Sequence, residues 1–183
     1  MSSRTPIRNR QNRQSRQALR RMTRNAILLS VALVLSLVER WIPLHLLIPV
    51  PGLKLGLANT VTLFALLRLR SVDALMIIIL RSLIMGGIMG PMTLMLSLSG
   101  GLLAFFVMWP LSRWEGRALS VIGLSVAGAA AHNIGQVAMA GLILQEPLLL
   151  LTYLPPLLLT SLGTGTLTGF AARPVINRFR RLD

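Results

Sequence analysis

Six apolar runs, each separated from the next by only a few polar or turn-forming residues, leave this chain very few ways to fold. They cover about Ala26 to Val38, Leu55 to Leu67, Val72 to Ile88, Met92 to Leu111, Leu119 to Leu144 and Leu148 to Ala172. A hydrocarbon core of about 30 Å takes roughly 20 helical residues to cross, and fewer where a helix ends inside protein. A water-soluble domain cannot hide so much apolar surface: 54% of 183 residues are hydrophobic, and the mean hydropathy is +0.69, whereas small domains bury only part of their surface. The expected fold is therefore all-α, a polytopic membrane protein of six transmembrane helices with both termini in the cytoplasm.

The breaks between runs follow from residue chemistry. Glu39 and Arg40 end the first run, and the stretch from Trp41 to Leu53 carries Pro43, Pro49, Pro51 and Gly52, which forbid one continuous helix. A partly buried loop over the outer half of the protein is expected there. Gly86, Gly87, Gly90 and Pro91 supply a tight turn after the third run, and Pro155 with Pro156 should interrupt the sixth. The chain divides into an Arg-rich cytoplasmic tail over residues 1–25, expected to be disordered, a membrane domain over 26–176 and a short basic tail over 177–183.

Charge placement sets orientation. The net charge of +14 could suggest nucleic acid, whose phosphates attract basic patches, but the leading segment with Arg4, Arg8, Arg10, Arg13, Arg16, Arg20, Arg21 and Arg24 has no aromatic residue to stack on a base. Anionic lipid headgroups are the expected partner, each basic residue contributing roughly 1 kcal/mol near such a surface; nucleic acid is not. With the N-terminus inside, all of the nineteen Lys and Arg residues fall on the cytoplasmic side except Arg40, Lys54 and the intramembrane Arg81, as the positive-inside rule requires of short loops. An even number of spans is the consistent solution, and a bacterial inner membrane is the expected location. No small-residue cleavage pattern and polar sequence follow Val38, so the first run reads as a retained helix rather than a secretory signal. The chain has no cysteine, which excludes disulfides and thiolate chemistry.

Arg81 is the most informative residue, because it lies about 13 Å along its helix from Val72, and an arginine at that depth needs a partner or a wet cavity. His132 and Gln136, four apart, share a helix face with Asn133 beside them. Packing polar groups between small residues accounts for these three as well as contact with a ligand does. Glu39, Lys54 and Asn59 flank a turn and a helix start that favour an anion. Together Glu39, Lys54, Asn59, Arg81, His132, Asn133 and Gln136 form the candidate substrate-binding set. Ala26 with Ser30, and Ala32 with Ser36, are small-residue pairs suited to docking a partner helix or an internal one. No metal site, cofactor or catalytic group is expected: His45 is the only other histidine, and the five acidic residues Glu39, Asp73, Glu115, Glu146 and Asp183 stand apart in sequence.

Pro51-Gly-Leu-Lys-Leu-Gly-Leu-Ala-Asn59, Ser97-Leu-Ser-Gly-Gly101, His132-Asn-Ile-Gly-Gln136 and Tyr153-Leu-Pro-Pro156 together resemble the Gx transporter family, also labelled heptaprenyl diphosphate synthase component I, over about Ala26 to Ile176. The family is similar in size and topology to substrate-binding components of energy-coupling factor transporters. That resemblance implies capture of a small anionic or amphipathic solute, with ATPase and transmembrane scaffold subunits as partners; the chain itself has no Walker motif. The enzymatic label implies something else, a membrane subunit that assists heptaprenyl or polyprenyl diphosphate synthesis or a quinone or redox assembly. Prenyl transfer needs clustered aspartates to hold Mg2+ and diphosphate, so under that label the chain would be a non-catalytic partner.

Overall fold

The computed structural model describes residues 5–41 and 56–180. It is all-helical: α1 Thr5–Trp41, α2 Leu57–Arg68, α3 Ser71–Met89, α4 Pro91–Ser112, α5 Val121–Leu144 and α6 Leu148–Arg180. Among the described residues the only β-type pairing is an isolated bridge between Glu115 and Leu119. Four helices are long and apolar enough to cross a membrane, the Arg13–Glu39 part of α1 together with α3, α4 and α5, and α2 is a shorter apolar helix. This is a helical membrane protein.

The six expected segments each become a helix, and two differ in extent. The segment expected to be a disordered tail is instead the first half of α1, helical from Thr5. Its arginines, glutamines and leucine are good helix formers, and no proline or glycine follows Pro6 before Pro43. The sixth helix runs through Pro155 and Pro156 without a break. Each proline removes one amide donor, and membrane helices tolerate that where neighbouring groups satisfy the freed carbonyls.

Turn chemistry matches the breaks. Gly90 sits at φ 100° and Pro91 opens α4 behind it, so the α3–α4 turn uses a conformation open to glycine and a first helical position suited to proline. The side chain of Ser120 accepts a bond from the Gly123 amide to cap α5, and Gly56, at φ 73°, precedes α2.

The core gathers Leu63 of α2, Ile77 and Ile78 of α3, Met108 of α4, Leu124 of α5 and Ile176 of α6, all nearly inaccessible. Helix α5 makes its main contacts with α4 on one side and α6 on the other. Glycine makes both contacts possible: a Cβ on Gly135 would lie 2.7 Å from the Ser99 carbonyl oxygen, and one on Gly165 would lie 2.6 Å from the Val126 Cα. Lipid tails are as apolar as leucine, so membrane helices associate through this kind of close packing and through interhelical hydrogen bonds. Ser125 and Thr168 supply such a bond between α5 and α6 at 2.9 Å, and Ser82 and Ser97 one between α3 and α4 at 3.0 Å.

A candidate polar centre inside the helix bundle

Arg81 is 6% exposed in the middle of α3. Glu39, near the C-terminal end of α1, is the acidic group that acts electrostatically on it, and the same carboxylate accepts the backbone amide of Gly56 just before α2. One acid thus serves an intramembrane cation and the positive end of a helix, two sites that each favour negative charge. Asn59 belongs to this group through α2: its Nδ2 lies 3.6 Å from where a Cβ on Gly56 would stand.

The diglycine of α4 joins Arg81 to the second cluster. A Cβ on Gly101 would meet Ile78 and stand 3.9 Å from Arg81 Nη2, whereas one on Gly100 would meet Gln136 Cγ at 2.8 Å and His132 Cε1 at 3.0 Å. Arg81 therefore lies against one side of this turn of α4, and His132 with Gln136 against the other. Without side chains at either position, α3 and α5 press onto the α4 backbone from both sides.

Asn133 points elsewhere. Its Nδ2 donates to Ser161 Oγ at 2.8 Å and to the Leu157 carbonyl at 3.3 Å, and all three residues are buried. The group stitches α5 to α6 where Pro155 and Pro156 have removed backbone donors. Of the candidate set, Glu39 acts electrostatically on Arg81 and bonds the Gly56 amide beside Asn59, and His132 and Gln136 stand across the diglycine from Arg81. Lys54 lies outside the described residues, as does the loop that follows α1.

The small-residue pairs of α1 separate by face. Ala32 is 1% exposed and part of the core, and Ser36 is half-buried, so that pair packs inside the protein. Ala26 and Ser30 are exposed. Both serines return their hydroxyl protons to the carbonyl one turn back, Ser30 to Ala26 and Ser36 to Ala32.

A second polar cluster has little signal in the sequence. Asp73, 2% exposed in the first turn of α3, accepts from Asn25 Nδ2 at 2.8 Å and from Arg21 Nη2 at 3.3 Å, with Arg24 Nη2 at 3.9 Å. The Arg70 amide donates to its other oxygen. This clasp fixes α1 against the start of α3. An acid in the first turn of a helix is an ordinary reading, because it complements the helix dipole; that its partners come from a segment about fifty residues earlier appears only in the fold.

Five acidic residues and two histidines form no group of three that could hold a metal ion among the described residues. No curated protein and no solved structure matches the chain. The family model described as heptaprenyl diphosphate synthase component I matches residues 28–175.

Proposed function

We propose, for a chain that belongs to the heptaprenyl diphosphate synthase component I family, that it is the non-catalytic, multi-pass inner-membrane subunit of a prenyl diphosphate synthase whose catalytic site lies on a separate polypeptide. The family match carries this reading. The placement of the acids supports the non-catalytic part: Asp73 is engaged by α1 and Glu39 by Gly56 and Arg81. Mg2+ bound to a diphosphate requires clustered carboxylates, and among the described residues no group of three acids or histidines gathers. The subunit would keep both termini and its arginine-rich face in the cytoplasm, where a soluble catalyst and its water-soluble substrate meet. The test is affinity recovery of the full chain from its own host in mild detergent. A prenyl synthase recovered in fixed ratio supports the reading, and recovery with ATPases and a membrane scaffold overturns it.

A specific observation favours a second reading, a substrate-binding transporter subunit for a small anionic or amphipathic solute. Arg81 is a buried cation on which Glu39 of another helix acts electrostatically, and a solute carboxylate could take up the same interaction. Glu39, Lys54, Asn59, Arg81, His132, Asn133 and Gln136 are the proposed contacts. On this reading Arg81→Ala weakens solute binding while the protein still inserts, measured by retained small molecules in native mass spectrometry; unchanged retention removes Arg81 from the site.

A further inference from the structure

A cavity of about 680 Å³ opens along the side of the bundle between α1, α2 and α6. Its walls are apolar, built from Ile27, Val31 and Leu35 of α1, Val61 and Phe64 of α2, and Val175 of α6, while Arg20 and Arg24 line one end. On the orientation that the positive-inside rule gives, that end is the cytoplasmic one, and Arg24 there also reaches Asp73 at the start of α3. From Arg20 to Leu35 the groove follows α1 for roughly 22 Å at 1.5 Å per residue. One leaflet of a hydrocarbon core of about 30 Å is roughly 15 Å deep, so the groove covers a leaflet and the headgroup layer below it.

The mouth carries surplus positive charge. Arg21 and Arg24 share the single acid Asp73, and Arg20 lines the cavity beside Arg24. One turn beyond Phe64 on the same face of α2, Arg68 donates its Nε to the Ile176 carbonyl, and its Nη2 is shut away from solvent without a hydrogen-bond partner.

We propose that this groove binds a polyprenyl diphosphate, with the diphosphate at Arg20 and Arg24 and the head-proximal part of its single chain along α1 and α2. The inference rests on the prenyl-synthase reading above and adds the ligand and the site. A diphosphate carries more negative charge than a phospholipid's single phosphodiester and suits a mouth with two arginines. One apolar chain suits a single groove, whereas a phospholipid would leave its second chain outside. The far end of a long prenyl chain runs on into lipid.

The test uses the full chain alone in phosphatidylcholine nanodiscs, with heptaprenyl diphosphate as probe and inorganic diphosphate and phosphatidylglycerol as competitors, read by native mass spectrometry. Arg20→Gln removes an exposed charge at the mouth, and Val31→Trp fills the apolar wall at a position 44% exposed, so neither disturbs the Asp73 clasp. Each should weaken heptaprenyl diphosphate binding roughly tenfold or more, with inorganic diphosphate competing poorly. Absence of binding, binding by both variants as tight as by the unaltered chain, or equal competition by phosphatidylglycerol overturns the proposal, the last in favour of an ordinary anionic lipid. No synthase is needed in this assay. A chain that recovers a synthase but binds no probe loses the groove and keeps the function; one that binds the probe in the groove but recovers only ATPases keeps the ligand and loses the synthase.

Discussion

Two acids carry most of the polar organisation at the scale of single residues, and they do so differently. Asp73 is 2% exposed and holds partners that are themselves half in solvent, the side chains of Arg21 and Arg24 being 41% and 47% exposed. Exposed arginines contribute little individually, so Arg24→Gln should change stability by less than about 1 kcal/mol. Asp73→Ala removes two side-chain hydrogen bonds and should cost about 2 kcal/mol or more, seen as a lower melting temperature in mild detergent. Glu39 instead compensates a buried charge. Glu39→Gln should destabilise by about 1 kcal/mol or more, because it withdraws the acid that acts on the buried Arg81 and weakens the contact with the Gly56 amide. The double change Glu39→Gln with Arg81→Met should recover most of that loss in the same melting assay; no recovery would show that Arg81 does not depend on Glu39.

The helices of this protein are distinguished by where they lack side chains. Gly100, Gly135 and Gly165 sit where a Cβ would fall within 3.0 Å of a neighbouring helix's backbone, while a Cβ on Gly87 would meet nothing within 4 Å. Gly165→Ala should therefore push α6 from α5 and destabilise by about 1 to 3 kcal/mol, the usual range for overpacking. Gly87→Ala, inside the same kind of helix, should be neutral or slightly stabilising by up to about 1 kcal/mol. Equal melting temperatures for the two variants would contradict the close approach of α5 and α6. Asn133→Ala tests the polar side of the same contact and should cost about 1 kcal/mol, in line with interhelical hydrogen bonds in other membrane proteins.

At the scale of the whole molecule, orientation is the property to test. The chain has no cysteine, so single cysteines can be introduced without background. Arg117→Cys, between α4 and α5, should react with an impermeant maleimide only from the cytoplasmic side, and Glu146→Cys, between α5 and α6, only from the opposite side. The reverse pattern would invert the topology and move the arginine-rich half of α1 out of the cytoplasm.

The sequence alone determined the class of fold and the ends of most helices, because apolar content, proline and glycine act locally. The hydropathy of α3, α4 and α5 and the Gly90-Pro91 turn need no knowledge of neighbours. The charge asymmetry belongs with them, since it depends only on which loops the arginines occupy. The unbroken α1 and α6 were less legible: a tail can be charged and still helical, and a proline is tolerated when another helix stands nearby to receive the freed carbonyls. Only the tertiary structure decided the rotations. Helices that are apolar nearly all round carry no stripe to say which face turns inward. It therefore took the bundle to turn Asn133 to α6 and its neighbour His132 to α4, to set Asp73 against a segment far away in the chain, and to leave between α1, α2 and α6 a groove with arginines at its mouth.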